Sequence, residues 1–187
     1  MMKNSLPIIF SVALVLFVSG CSTPDNTAEK EFKSTVLAMK QEFVKTEDLL
    51  GKNGVSDEEL VKSFAYQKDL IKEWVKELKK VVKHSPANIW ADDAQYIIST
   101  LYAGSPQLEI QELEHLLKNY PDIHIEQWTR ENLPDIAQQA DMGCFARISL
   151  CLLYRKLQYV NELKALGEES INKCPEKEKI LEQILRH

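Results

Sequence analysis

Apolar residues recur every three to four positions along nearly all of the chain after residue 28. This spacing is the period of one face of an α-helix. Glycine is scarce, with six in 187 residues, and long stretches are rich in Glu, Lys, Leu, Gln and Ala, which favour helix. The pattern predicts an all-α fold, in which antiparallel helical hairpins form a single domain over residues 30–187.

The first two helices are predicted from their apolar stripes and from the break between them. Residues 28–50 form the first helix, and Gly51–Gly54 ends it. Ser56 and Glu59 have the spacing of a capping box, which opens the second helix. The stripe of this second helix is Leu60, Phe64, Ile71, Trp74, Leu78 and Val81. On its other face, Lys72, Lys76 and Lys80 each follow an acidic residue by three positions. We interpret these acid–lysine pairs as part of a solvent-exposed face.

Two shorter helices follow between residues 88 and 120. Asn88 is the predicted N-cap of the third helix, whose apolar face is Trp90, Ala94, Ile97 or Ile98, and Leu101. Its Asp92 and Asp93 lie in the first turns, where negative charge interacts favourably with the positive end of the helix dipole, and we interpret them in this way. Adjacent residues on a helix point about 100° apart, so the two acids form a poor metal or catalytic pair. Ser105 and Pro106 open the fourth helix, and Pro121 stops it.

The C-terminal third is predicted to contain the most buried helix. A short helix near Trp128 ends before Pro134, and one long helix then runs from 135 to about 158, with Ile136, Ala140, Cys144, Ile148 and Cys151 on one stripe. The chain returns over 159–173, and an amphipathic helix over 175–187 closes it on Ile180, Leu181, Ile184 and Leu185.

Helix geometry restricts the pairing of the three cysteines in this region. Cys144 and Cys151 are seven residues apart on one helix, about 10 Å, which is beyond the roughly 7 Å limit between bridged Cα atoms. A hairpin that turns near residue 158 places Cys144 opposite residue 172, so a disulfide between Cys144 and Cys174 is favoured. Three buried thiols without a bridge are the alternative.

The N-terminal stretch has the organisation of an export signal. Lys3 precedes an apolar run, residues 6–18, that is too short to cross a bilayer. The next residues, Val18-Ser19-Gly20-Cys21, resemble the lipobox of bacterial lipoproteins. The resemblance implies cleavage of residues 1–20 and acylation of Cys21 on its sulfur and new amino group. An ordinary signal followed by a chance cysteine is the alternative.

Several acyl chains would hold the mature chain durably at a membrane, whereas one chain binds only marginally. Ser22, rather than Asp, follows the cysteine, which in Gram-negative lipoproteins favours the outer membrane. Residues 21–29 are predicted to form a lipidated, flexible tether, because they contain no large apolar residue. The net charge is −5, and a mildly acidic surface disfavours nucleic acid as a partner, because its binding needs clustered positive charge.

Residues 57–122 show a repeat-like pattern. Pro86 and Pro121 each follow a helix and lie 35 residues apart, close to the tetratricopeptide (TPR) period of about 34. Residues 90–96 (WADDAQY) and 116–122 (LLKNYPD) resemble repeat ends in periplasmic TPR lipoproteins, a group that includes the BamD-like outer-membrane assembly lipoproteins and the pilotins. The resemblance implies a short TPR-like α-solenoid, with repeat positions at Trp90, Ala94, Tyr96, Leu113, Tyr120 and Pro121.

These features favour a protein without catalytic residues, metal or cofactor. The four histidines have no metal-ligand spacing, and no nucleophile elbow or phosphate loop is present. We therefore expect a periplasmic interaction or assembly scaffold, anchored by lipid to the outer membrane, whose partner is an envelope protein or peptide. The alternatives are a pilotin-like escort of a secretion or pilus component, a carrier of a small ligand and a thiol-dependent enzyme.

Replacing Cys21 tests the anchor directly. The Cys21→Ala variant should leave the membrane fraction, because the acyl chains are its expected means of attachment. Sedimentation of membranes followed by mass spectrometry of the mature N-terminus measures this. A variant that still sediments with membranes, or an unacylated N-terminus elsewhere in the chain, would contradict the prediction.

Overall fold

A computed structural model of the chain describes residues 26–50, 55–134 and 141–186. Within these ranges the chain forms eight α-helices and one 3₁₀ turn, without a strand. The predicted all-α fold is therefore confirmed. The signal segment 1–20, the lipidation residue Cys21 and the Gly51–Gly54 break lie outside the described residues.

Most helices pack mainly against the helices that adjoin them in the sequence, whereas the short α5 packs against α1. The helices are α1 (Asn26–Leu50), α2 (Asp57–His84), α3 (Ile89–Leu101), α4 (Pro106–Asn119), α5 (Gln127–Asn132), α6 (Met142–Lys156), α7 (Val160–Lys173) and α8 (Glu178–Leu185). A 3₁₀ turn, Pro175–Lys177, precedes α8. The principal neighbours are α1 with α2, α2 with α3, α3 with α4, α4 with α6, α6 with α7, and α7 with α8. The order along the chain is thus largely the order in space.

Two of the predicted helix starts have the expected caps. The Ser56 side chain accepts the Glu59 N–H, and Glu59 accepts the Ser56 N–H, which completes the capping box of α2. The Asn88 side chain accepts the N–H of Trp90 at 3.0 Å and caps α3. Pro106 occupies the first turn of α4, but the Ser105 side chain makes no capping hydrogen bond there.

The core consists of two clusters that meet at α3. The first joins α1, α2 and α3 through Phe32, Val36, Met39, Trp74, Leu78, Val81, Trp90, Ala94, Ile97 and Ile98. The second joins α4, α6, α7 and α8, and α3 contributes Tyr96 to it. Nine of the 13 residues of α3 are buried, whereas seven of the 15 in α6 are. The prediction that the cysteine-containing helix is the most buried is therefore wrong, because α3 is covered from both sides.

Aromatic rings join α1, α3 and α5 at one end of the first cluster. Phe32 stacks on Trp90 with ring centroids 5.2 Å apart, and Trp128 meets both rings edge-on at 6.2 and 6.1 Å. The Lys33 ammonium lies 4.8 Å from the Trp90 ring and 5.2 Å from the Trp128 ring, and 2.6 Å from Glu29. Ring contacts and cation–π attraction therefore add to the apolar burial that holds these helices together.

The tether prediction needs correction at its C-terminal end. Helix α1 begins at Asn26, and Ala28 is buried one turn before Phe32. Residues 26–29 therefore belong to the folded body rather than to a flexible tether, because a small side chain at position 28 allows close packing. The remaining part, residues 21–25, lies outside the described residues.

The predicted stripe of α2 is buried only along its C-terminal half. Trp74, Leu78 and Val81 are buried and Ile71 is partly buried, but Phe64 is 58% exposed, so its assignment to the core was wrong. Helix α2 has 28 residues and α3 only 13, so the shorter helix covers one half of the longer one. Ile180, predicted on the apolar face of the last helix, is likewise exposed. The three lysine pairs of the solvated face are confirmed at Lys72–Asp69, Lys76–Glu73 and Lys80–Glu77.

The long helix predicted from residue 135 starts later than expected. Asp141 caps α6 by accepting the Cys144 N–H at 2.9 Å, so the helix begins at Met142. Ile136 and Ala140 lie outside the described residues. The turn between α6 and α7 comes at residues 157–159, as predicted, and Gln158 adopts a left-handed conformation there with φ of 62°.

The cysteine pairing is the one that the hairpin geometry favoured. Cys144 on α6 and Cys174 after α7 form a disulfide with a Cα–Cα distance of 5.7 Å. Cys151 is a buried thiol. The bridge closes the open end of the α6–α7 hairpin, next to the start of α8.

Among the described helices, none combines the length and apolar character needed to cross a membrane.

Replacing Trp90 should destabilise the first core cluster. The indole is 6% exposed and touches two aromatic rings and Lys33, so Trp90→Ala should lower the free energy of unfolding by about 3 to 5 kcal/mol. Denaturant titration followed by circular dichroism measures the change. The neighbouring Ile89 is exposed, so Ile89→Ala is the matched control and should change little. Equal stability of the two variants would contradict a core role for Trp90.

Candidate functional site

A polar groove lies between α2 and α4, above α3, and we call it the α2–α4 groove. Its volume is about 770 Å³, and its walls are Lys79, Val82, Lys83, Pro86, Gln95, Gln111, Glu112, His115, Asn119 and Tyr120. This volume is in the range of ligand pockets in proteins, which is roughly 300 to 1,000 Å³. The groove is open to solvent along one side, so a chain segment can enter it from the surface.

One hydrogen-bond network fixes the floor of the groove. Gln95 is buried on α3, and its side-chain amide donates to the Glu112 carboxylate at 2.9 Å and to the Glu112 carbonyl at 3.2 Å. Lys79 on α2 binds the other Glu112 oxygen at 2.6 Å. The Glu112 carboxylate thus connects α2, α3 and α4. It also supplies the hydrogen-bond partner that the buried Gln95 amide requires.

The rest of the lining is richer in donors than in acceptors. Lys83, His115 and Gln111 are exposed on the walls, whereas Glu112 is the acid in the lining and is already bound by Lys79. The Asn119 amide donates to the carbonyl of His115 at 2.8 Å, which fixes its orientation. Such a surface suits a ligand that offers carbonyl or carboxylate oxygens.

A second hollow adjoins the groove at the start of α3. This hollow has a volume of about 450 Å³ and shares Pro86, Asn119 and Tyr120 with the groove. Its far side is formed by Asp92 and His124. The two hollows adjoin each other beside the N-terminal end of α3, and together they offer more length than a compact small molecule needs.

Asp92 and Asp93 fasten the segment before α5 to α3. Asp93 is fully buried, its carboxylate accepts the Glu126 N–H at 3.2 and 3.3 Å, and the Thr129 hydroxyl donates a short hydrogen bond to it. Asp92 accepts the His124 N–H at 3.0 Å. The interpretation of both acids as a match to the helix dipole was therefore incomplete, because they act as long-range hydrogen-bond acceptors. Their donors lie more than thirty residues away, where no local sequence pattern points to them.

Burial changes the acidity of this pair. Removal from water raises the pKa of Asp93 to about 7, and the hydrogen bonds from Thr129 and Glu126 oppose the rise without cancelling it. The neighbouring negative charges of Asp92 and Glu126 act in the same direction as burial. Burial also raises the pKa of Asp92, while its bond from the His124 backbone lowers it.

The predicted repeat positions are mainly core residues. Trp90 and Ala94 lie in the first cluster, and Tyr96 and Leu113 lie in the second. Tyr120 is partly buried and lines both hollows, and the exposed Pro121 follows it in the bend after α4. The structure thus brings one of the six, Tyr120, to the groove.

Two further groups bear on chemistry in the C-terminal half. Burial raises the pKa of the Cys151 thiol to about 11, which opposes formation of a nucleophilic thiolate. Cys144, Cys174 and Glu176 lie close together, but both sulfurs are joined in the disulfide and do not offer thiolate ligands. Arg147, which is buried, pairs with Glu169 at 3.0 Å and ties α6 to α7.

Comparison with protein-family models, curated proteins and solved structures gave no match. The functional assignment therefore depends on the residues and geometry of the chain itself.

The buried Asp93 should make stability depend on pH. Because its folded pKa of about 7 exceeds the ordinary value of 3.8, the protonated side chain stabilises the fold below pH 4, and this contribution is lost as pH rises to about 7. Compared with Asp93→Asn, the wild-type protein should lose on the order of a few kcal/mol of unfolding free energy over that range.

Denaturant titrations of both proteins from pH 4 to 8 measure this difference. Other carboxyl groups titrate in both proteins and cancel in the comparison. The Thr129→Val variant serves as a control, because it removes one hydrogen bond but keeps the titrating group. A difference between wild type and Asp93→Asn that stays constant with pH would contradict the assignment.

Proposed function

We propose that this protein is a bacterial lipoprotein that holds a polypeptide segment of another envelope protein in the α2–α4 groove. Acylated Cys21 anchors it, and the outer membrane facing the periplasm is its expected location. In this role it acts as an assembly or interaction scaffold rather than as an enzyme. If the N-terminus is instead an ordinary export signal, cleavage without acylation would leave the protein without a membrane anchor.

The short connection between Cys21 and the first helix supports a function at the membrane surface. Asn26, where α1 begins, is the fifth residue after Cys21. A chain of that length spans at most roughly 18 Å, so an acylated Cys21 would keep the helical body close to the lipid headgroups. The groove would then meet partners at the membrane rather than in the open periplasm.

The stacking of helices in sequence order supports a short TPR-like solenoid as the architecture. Helices α3 and α4, with 13 and 14 residues, form a hairpin of the length of one such repeat, and α2 packs beside α3 as the preceding helix. In solenoids of this type each unit contacts its neighbours, and the stack leaves extended binding surfaces. The α2–α4 groove lies on such a surface.

The observation that carries the proposal is the polar lining of this groove above a fixed floor. Gln95, Glu112 and Lys79 are already bound to one another, so they form a rigid base and do not need a ligand. Lys83 and His115 stand above that base and can donate to backbone carbonyls or to an acidic side chain. An extended peptide with an acidic residue therefore fits the groove best.

Photo-crosslinking at the groove tests this function. A photoreactive residue at His115, in cells with intact Cys21, should crosslink one envelope protein, whereas the same residue at the exposed Lys164 on α7 should not. With that partner purified, Lys83→Glu should raise the Kd about tenfold, because it reverses a charge that faces the ligand.

The matched control is Lys62→Glu, which makes the same charge change about 30 Å farther along α2, outside the groove. It should leave the Kd unchanged. Equal crosslinking from positions 115 and 164, or equal effects of the two charge reversals, would contradict binding in the groove.

A further inference from the structure

A second surface lies on the N-terminal half of α2, away from the groove. Asp57, Val61, Phe64 and Lys68 occur at spacings of four, three and four, and we call them the α2 stripe. The same alternation continues through Ile71, Val75, Leu78 and Val82. Alternating spacings of three and four form the seam of a coiled coil, so these eight positions lie along one line on the helix.

Only half of this seam is covered in the folded chain. Val75 and Leu78 are buried against neighbouring helices, whereas Val61 is 67% exposed and Phe64 is 58% exposed. Asp57 and Lys68, at the two ends of the stripe, are also exposed. Isolated apolar residues on a surface are ordinary, but here they continue a packing seam whose other half is in the core.

The order of the residues in the stripe is self-complementary. It runs from an acid through two apolar residues to a base. When a second copy of the helix lies antiparallel, Asp57 faces Lys68 of that copy and Val61 faces its Phe64, and the same pairs repeat across the two-fold axis. In antiparallel coiled coils the two kinds of seam position pack against each other, which is the pairing obtained here.

We propose that the α2 stripe is a homodimer surface, on which two copies of this chain pair through antiparallel α2 helices. The two apolar layers at the centre exclude water, and an ion pair closes each end. Charge complementarity favours a second copy of the chain over an unrelated helix, because the register that buries both apolar pairs also matches both ion pairs. The proposal does not depend on the lipid anchor or on the groove.

Charge reversal at the two ends of the stripe tests the pairing. Sedimentation velocity of the full chain in detergent should show a monomer–dimer equilibrium. Asp57→Lys and Lys68→Glu should each raise the dimer Kd about tenfold, because each variant places like charges at both ends of its own dimer. An equimolar mixture of the two variants should form a heterodimer, since lysines then face acids at both ends.

Two controls separate this result from a loss of folding. Lys62→Glu reverses a charge on a different face of α2 from the stripe and should leave the dimer intact. Phe64→Ser should weaken the dimer without lowering the melting temperature of the monomer, because Phe64 is exposed there. A wild-type chain that stays monomeric at all soluble concentrations, or a mixture of the charge variants that forms no heterodimer, would overturn the proposal.

Discussion

The hydrogen-bond requirement of one buried carboxylate organises much of this structure. Asp93 lies inside α3, and a buried acid is costly unless donors reach it. Its donors come from Glu126 and Thr129, so satisfying Asp93 fixes α5 against α3. That position in turn places Trp128 against the rings of Phe32 and Trp90, where α1 packs. The fold of the N-terminal half thus depends on a contact between segments that are far apart in sequence.

Helix α3 also links the core to both proposed surfaces. On one side Gln95 extends from this buried helix to Glu112 and fixes the floor of the groove. At the same time α3 is too short to cover α2 completely, and the uncovered half carries the α2 stripe. The apolar seam left for a partner is therefore the part of α2 that α3 does not cover.

Local signals predicted most helices, and long-range contacts account for the errors. Helical periodicity, capping residues and prolines are local features of the sequence. They were therefore enough to place α2, α3 and the turn at 157–159. Whether Phe64 is covered depends on the length of another helix, and the role of Asp93 depends on residues 126–129. The groove could not be predicted for the same reason, because its lining comes from three helices whose packing the periodicity does not specify.

The two proposed surfaces occupy opposite halves of the same helix, so dimerisation through one surface would fix the relative positions of the two grooves. The groove uses the C-terminal half of α2, at Lys79 and Lys83, and the stripe uses the N-terminal half, before Ile71. An antiparallel two-fold pairing of α2 would therefore place two grooves at opposite ends of one rigid rod. Two linked sites bind a repeated or dimeric partner more tightly than either site alone, provided their separation matches that of the target segments. Under both proposals, the spacing of the grooves would be a determinant of partner choice, in addition to the chemistry of each groove.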